Sequence, residues 1–429
     1  MLTEIDQIVR QEIDLQGPGV AIAVVKDGKP VHIEGFGVAN LEWNCPIQPD
    51  TVFRLASITK QFTATAIMLL ERQGKLRLDD AMTTYLPDYP THDRTITITH
   101  LLTHTSGIKS YTSLDNFMTD IAKKDLSSGE LLASFQELPL EFEPGTHFLY
   151  NNSGYHLLGL IIEKVAEMSY EQFIQQFIFQ PLNMHHSYYM HNETLIPRRA
   201  SGYVKTQEGY RQADYLNMMI PYAAGSLGSM VEDLIRWDAA LREGRLLDAA
   251  TQARMYTPVQ LADGRTEEYG FGVGITSYEG HRLICHGGGM PGFHAFLARF
   301  IDDTAMIAVL ANTTEIAVEK ITRKIARHLF DLPGVTGTPV TLSTAMLDKA
   351  VGTYIAEDGF PVEIVHDEGR LAIRGPIEDR LIPISEATYY ASHDDELEVH
   401  FADEQDGVFN VLTLHIPIYR AIKATRKQG

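Results

Sequence analysis

Ser57 and Lys60, in Ala56-Ser57-Ile58-Thr59-Lys60-Gln61, are the residues whose types and spacing first suggest chemistry. A serine hydroxyl becomes a nucleophile only beside a base, and a lysine whose pKa is lowered can be that base. The run from Phe62 to Arg72 carries helical apolar spacing, so Ser57 is expected at a helix start with Lys60 one turn further on. Residues three apart share a helix face, so hydroxyl and amine can meet. The positive end of the helix dipole favours an oxyanion at Ser57 and disfavours an ammonium at Lys60, and burial works in the same sense. The chemistry implied is acyl transfer to Ser57. Alone the pattern is weak, since a chain of this length holds roughly one Ser-x-x-Lys by chance. The bland alternative is a capping serine followed by a solvated lysine.

Two further groups follow along the chain. Tyr150 and Asn152 sit after the breaker Glu143-Pro144-Gly145 and just before a helical run from Gly154 to Met168. On an extended segment, residues two apart point to one side. Taken singly, Tyr150 reads as core and Asn152 as a helix cap. His286-Gly287-Gly288-Gly289 follows the strand pattern Arg282 to Cys285. Three glycines weaken a strand, so a close backbone or ligand approach is the expected reason for them. No Gly-Lys-Ser/Thr is present, which excludes a phosphate loop. His100 and His104 have metal-ligand spacing, but Leu101 stands where the zinc-protease motif needs glutamate. The reading preferred for them is a histidine bonding loop backbone.

The elements that must position these groups can be read in outline. Leu2 to Leu15 is an amphipathic helix, Gly19 to Lys26 a buried strand turned by Asp27-Gly28, and Val31 to Val38 its return. Val231 to Leu241 is a helix, and Ala223 to Ser229 a loop of small residues. Tyr269 to Ile275, Arg282 to Cys285, Phe293 to Arg299 and Ala305 to Leu310 are strands, closed by a helix from Glu315 to Phe330. After a Gly/Pro/Thr linker at 332–340 the pattern changes to seven short alternating strands: 351–355, 362–366, 371–374, 381–384, 397–401, 408–415 and 418–423. Asp358-Gly359, Glu368-Gly369 and Asp406-Gly407 are turns among them. Even spacing of this kind indicates a small antiparallel barrel or sandwich. The domains are therefore placed at 1–331 and 341–429.

Length and composition narrow the function. A chain of 429 residues exceeds one ordinary core. A formal net charge of −20 argues against non-specific nucleic-acid or anionic-membrane binding. Two cysteines, Cys45 and Cys285, exclude a disulfide scaffold and a four-cysteine zinc site. No run of about 18 apolar residues predicts a membrane span. The start MLTEIDQIVRQEIDL has no secretory signal, so the expectation is cytoplasmic as written, and periplasmic or secreted if a signal was trimmed.

Ser57-x-x-Lys60, Tyr150-x-Asn152 and His286-x-Gly288, in that order, resemble the three motifs of penicillin-recognising serine hydrolases. The likeness is to the class C β-lactamase and D-Ala-D-Ala carboxypeptidase branch. Leu101-Leu102-Thr103-His104-Thr105-Ser106-Gly107, Pro181-Leu182-Asn183-Met184 and Ala224-Gly225 are similar too. The resemblance implies an α+β, β-lactamase/transpeptidase-like fold: an antiparallel sheet flanked by helices plus an all-α lobe. It implies Ser57 as nucleophile, Lys60 and Tyr150 sharing base work, and Asn152, His286 and Gly288 at the substrate. Tyr150 beside an ammonium Lys60 would ionise more readily than a free phenol. The oxyanion hole would be the amides of Ser57 and Gly289. His286 replaces the usual lysine, which weakens the case for a carboxylate-anchoring β-lactamase and leans toward a peptidase or esterase; the reading ranked first is a peptidase or amidase on short peptides, D-residue-containing ones among them. The alternatives are an esterase, a weak β-lactamase, or a non-catalytic penicillin- or peptide-binding protein. The implied partner is a small peptide, ester or β-lactam, with no cofactor and no metal. Asn151 departs from the common serine. Residues 341–429, beginning Val351-Gly352-Thr353-Tyr354, resemble the lipocalin-like barrel that follows D-aminopeptidase-like peptidases.

Overall fold

The computed structural model describes residues 3–334, 337–356, 360–375, 377–418 and 422–427. The Asp358-Gly359 turn, Leu2 of the first helix, and parts of the linker and last strand lie outside the described residues. By its internal contacts the chain divides into two compact units, Met1–Ile275 with Gly280–Leu329, and Phe330–Gly429 with Thr276–Glu279.

The first unit opens with helix α1, Glu4–Glu12, whose start is fixed by a reciprocal cap between Thr3 and Asp6. Strands β1 (Val20–Lys26) and β2 (Lys29–Phe36) form the predicted hairpin. Helix α2 is Thr59–Arg72, α3 is Asn152–Ala166 and α4 is Val231–Arg242. Then come β3 (Gly274–Tyr278), β4 (His281–Met290), β5 (Phe293–Phe300), β6 (Ala305–Ala311) and helix α5 (Val318–Leu329). The six strands make one sheet in the order β3-β4-β5-β6-β1-β2. The N-terminal hairpin thus joins the C-terminal strands, with β1 antiparallel to β6 from Val20↔Ala311 to Val25↔Met306.

Every residue from Val20 to Val25 and from Ala305 to Ala311 is buried, so this sheet is covered on both faces. That is why these strands lack hydrophobic-polar alternation. Ala21, Ala23 and Val25 enter the large core that contains Leu234 and Trp237 of α4. The helices α1 and α5 pack together, α5 against β6 and α1 against β2.

Two sequence expectations are corrected here. The glycines are inside β4 and do not follow it, because the strand runs to Met290. The five residues of β3 flank its first half, and the segment from His286 onward outruns them. Tyr269 to Val273 is irregular and outside β3. Gly272 there has φ +72°, and a Cβ on it would lie 2.5 Å from the Lys60 carbonyl oxygen.

The second unit contains a closed antiparallel barrel of eight strands in sequential order. They are β7 (Gly352–Ala356), β8 (Pro361–Asp367), β9 (Arg370–Arg374), β10 (Asp379–Pro383), β11 (Thr388–Ala391), β12 (Glu398–Gln405), β13 (Val408–His415) and β14 (Ile422–Arg426). Closure decides for barrel over sandwich. Strand β11 was not predicted; it has one short apolar stretch, Tyr389–Ala391, between polar residues. An eight-stranded barrel is just wide enough to be filled by side chains. Tyr354, Tyr389, Phe401 and Phe409 do so, with Phe401 5.5 Å from Tyr389 and 5.6 Å from Phe409 between ring centroids. Arg426 locks the closing pair β14 and β7, donating to the carbonyls of Phe409 (2.6 Å), Val351 (2.7 Å) and Lys349 (2.9 Å).

Candidate active site

Ser57 lies in a 3₁₀ turn, Ala56–Ile58, that runs directly into α2. Ser57 and Lys60 are three apart across that junction, so their side chains share one face. Ala56 has φ +47°, a left-handed conformation that costs a residue with a Cβ about 1–3 kcal/mol. Nothing in the sequence marks it. The strain sits immediately before the proposed nucleophile and is held by β4. A Cβ on Gly288 would be 2.2 Å from the Leu55 carbonyl oxygen and 3.1 Å from the Ser57 nitrogen. This is the close approach that the glycine run implied. Around Gly289 a Cβ would meet nothing within 4 Å, so that glycine faces open space.

Lys60 is fully buried and its Nζ has three partners. They are Asn152 Oδ1 at 2.8 Å, the Ala224 carbonyl at 3.0 Å and Ser57 Oγ at 3.0 Å. The two carbonyl oxygens can only accept, so each takes an N–H. The third direction holds either a third proton or a lone pair. Burial lowers the Lys60 pKa well below the ordinary 10.5, which favours the neutral amine and aims its lone pair at the Ser57 hydroxyl. Asn152 Nδ2 donates to Thr112 Oγ1 at 3.0 Å, which fixes which end of the amide faces Lys60.

Asn152 is the first residue of α3 and not part of an extended segment, as the sequence had suggested. The cap is Asn151, whose Oδ1 accepts from the Gly154 amide at 2.7 Å. Asn151 also donates through Nδ2 to the Ile108 carbonyl, and its backbone N–H donates to His104 Nδ1 at 3.0 Å. The departure from serine is therefore structural, and the His104 contact matches the preferred reading of that histidine. His100 caps its own short helix through the Thr97 amide at 3.3 Å.

The Lys60 ammonium position is 4.7 Å from the Tyr150 ring centroid, and the His104 ring is 4.4 Å from it. Burial raises the Tyr150 pKa above 10.0, and a hydrogen bond with the Ser57 side chain opposes this only partly. The expected easier ionisation of Tyr150 is therefore reversed: a neutral amine offers no cation to favour the phenolate. Tyr150 is still 37% exposed, so the phenol lies in a cleft wall and water tempers the upward push.

His286 is buried, and its Nδ1 lies 2.6 Å from the Gly287 carbonyl oxygen, which can only accept. The proton is therefore on Nδ1, and Nε2 accepts from the Tyr269 hydroxyl at 2.9 Å. Burial is the chief cause that pulls the His286 pKa from 6.5 to about 3. This histidine is neutral at any physiological pH. Ser57, Asn152 and Gly289 line one cleft of about 330 Å³, with Tyr111, Met118 and Pro221 forming apolar wall. The structure thus brings Ser57, Lys60, Tyr150 and Asn152 together, with the β4 glycines against Ser57. Sequence reasoning noted Ala224 only as part of the resemblance and gave neither it nor Tyr269 a role in the site. The first acts through its backbone carbonyl, which leaves no side-chain signal. The second was read only as a strand residue.

Fold and site together define a serine hydrolase. The chain belongs to the β-lactamase family: the family model described as Beta-lactamase matches residues 5–331. Penicillin-binding protein 4* of Bacillus subtilis (strain 168) is 32% identical over 400 residues, covering 86% of this chain and 87% of the relative. D-aminopeptidase of Gluconobacter oxydans (strain 621H) is 28% identical over 370 residues, covering 83% of this chain and 67% of the relative. Among solved structures, the octameric penicillin-binding protein homologue from Pyrococcus abyssi superimposes with a TM-score of 0.70 at 27% identity, covering 98% of this chain and 99% of the other. Among the described residues no helix is long and apolar enough to cross a membrane.

Proposed function

We propose that the hydrolase domain, residues 1–331, cleaves amide bonds of short peptides, including ones with D-residues, through an acyl-enzyme on Ser57. Residues 332–340 join it to a barrel domain at 341–429. The observation that carries the mechanism is the Lys60 amine, buried and 3.0 Å from Ser57 Oγ with its other two directions occupied by carbonyl oxygens. Lys60 takes the Ser57 proton as Oγ attacks the carbonyl carbon, giving a tetrahedral intermediate. The amides of Ser57 and Gly289 receive its oxyanion; one such donor lowers the barrier by about 3 kcal/mol. Tyr150, protonated and bonded to Ser57, passes a proton to the leaving amine and is recharged from Lys60. Water then attacks the acyl-enzyme by the reverse proton route. Asn152 orients Lys60 and meets the substrate amide from the cleft side.

Two points support a peptidase over a β-lactamase. His286 is neutral and offers no fixed cation to a β-lactam carboxylate at the third motif. The name of the Gluconobacter relative, a D-aminopeptidase, agrees with this direction. A panel of D- and L-amino-acid p-nitroanilides, p-nitrophenyl esters and a cephalosporin ranks the subclasses. The expected order is D-anilide, ester, cephalosporin. A fluorophosphonate adduct must form on the protein and vanish in Ser57→Ala. Protein that takes no adduct and turns over nothing is a binder, and the proposal fails.

A further inference from the structure

A second cavity, of about 720 Å³, adjoins the Ser57 cleft, and Leu216 and Pro291 line both. Its wall contains two guanidinium groups, Arg54 and Arg199. Arg54 is on the two-residue strand Phe53–Arg54, three residues before Ser57 and paired with Gly228. Its guanidinium lies over the Phe293 ring at 5.4 Å from the centroid and has no carboxylate or hydrogen-bond partner among the described residues. Arg199 spends one N–H on the His191 carbonyl at 3.3 Å. The carboxylate of the cavity wall, Asp214, is already held by both terminal nitrogens of Arg211, at 3.1 and 3.2 Å.

The cavity therefore carries two positive charges that its own wall does not neutralise, in a chain with 56 acidic and 36 basic residues. Burial and the repulsion of Arg199 lower the Arg54 pKa from 12.5 to about 10, which still leaves it charged at neutral pH. An arginine has five donors in a planar fork that matches a carboxylate. A third cavity also holds arginines, with Arg299 and Arg242 sharing Asp238 at 2.7 and 3.5 Å and Arg282 donating to the Tyr256 carbonyl at 3.4 Å, but it shares no wall residue with the Ser57 cleft.

We propose that the Arg54–Arg199 cavity is a carboxylate-binding subsite, which receives a free carboxylate of the substrate while its scissile bond lies at Ser57. This rests on the reading of Ser57 as the nucleophile. It also explains how a site whose third-motif residue is a neutral histidine can still select anionic substrates: the cation is supplied from the strand before the nucleophile. The carboxylate can be the C-terminus of the leaving residue or an acidic side chain on the acyl residue, and the test separates them.

The first arm compares D-Ala-D-Ala with its C-terminal amide; the second compares D-Glu p-nitroanilide with D-Gln p-nitroanilide. In one arm wild-type protein should prefer the carboxylate form by about tenfold or more in kcat/KM. In Arg54→Gln and in Arg199→Gln that ratio should fall toward one, and Arg54→Lys should restore part of it. Calorimetry on the Ser57→Ala protein, titrated with the same dipeptide and D-Glu anilide, reads the subsite without turnover, and removing Arg54 should weaken the carboxylate form selectively. Equal treatment of both members in both arms overturns the subsite, as does a preference that survives both arginine variants. If nothing is hydrolysed and no fluorophosphonate adduct forms, the hydrolase reading fails, and calorimetry still decides the subsite. Melting curves of each variant show that it is folded; should Arg54→Gln not fold, Arg199→Gln carries the test.

Discussion

Gly288→Ala tests whether the β4 backbone sets the position of Ser57. The added Cβ would lie 2.2 Å from the Leu55 carbonyl oxygen, where about 3.2 Å is the closest ordinary approach. Relief therefore needs a displacement of about 1 Å. Strand β4 cannot readily supply it, because Gly288 is held opposite Ala295 within an eight-residue antiparallel register. The segment Leu55–Ser57, already strained at Ala56, is what moves. A 1 Å misplacement of a reacting atom costs on the order of 100-fold in rate. Overpacking of this kind destabilises by about 1–3 kcal/mol. The assay is the second-order rate of fluorophosphonate labelling, with a melting curve alongside. Gly289→Ala is the control, because its Cβ would enter open space. Labelling of Gly288→Ala should fall about 100-fold with a melting point lower by a few degrees, while Gly289→Ala keeps its melting point. Wild-type labelling and stability in Gly288→Ala would refute the positioning argument.

Lys60→Ala and Tyr150→Phe should each lower turnover by about 10²- to 10⁴-fold with the fold intact, as measured by kcat and circular dichroism. Lys60→Arg, a permanent cation, should fail to rescue, and activity near wild type in it would show that a neutral amine is not the base. Asn151→Ala removes a helix cap and strands the buried Ile108 carbonyl, at about 1 and about 1–3 kcal/mol respectively. Urea unfolding should show a loss of about 2–4 kcal/mol; a loss under 0.5 would disprove the cap. His286 and His156 have folded pKa values of about 3 and about 4, below the ordinary 6.5, so the unfolded chain binds more protons in acid. Their stabilisation is complete above pH 6.5 and is lost as pH falls toward the folded values. At pH 5 each costs roughly 2 kcal/mol relative to pH 8. A urea midpoint unchanged between pH 7.5 and 5 would contradict their neutral burial.

The order of the motifs, the central strands and the barrel were legible because they rest on side-chain pattern. Continuous apolar runs at Val20–Val25 and Ala305–Ala311 announce strands covered on both faces, and the glycine run announces a close approach. What was illegible depends on backbone or on burial. Ala224 reaches Lys60 through a carbonyl that any residue would supply. Ala56 adopts its left-handed φ because β4 presses on the turn, and alanine carries no such preference. With two adjacent asparagines, composition could not say which would cap α3, since either side chain can. The direction of the Tyr150 shift was misjudged because it follows from whether Lys60 is an ammonium, which is set by complete burial that spacing alone does not reveal.

The charge inventory separates catalysis from recognition. Lys60 is driven toward the amine, Tyr150 toward the phenol, and His104 and His286 toward the neutral ring, each chiefly by burial. The cleft thus starts the reaction with little fixed charge, and proton transfer from Ser57 creates the Lys60 ammonium and the oxyanion together, the oxyanion meeting oriented backbone amides. Such dipoles act in a poorly hydrated cleft and are screened little by salt. The permanent cations stand one cavity away, at the partly buried Arg54 and Arg199. Added salt should accordingly raise KM for a carboxylate-bearing substrate and leave its kcat nearly constant, because it weakens the anchoring arginines without reaching the amine that takes the proton.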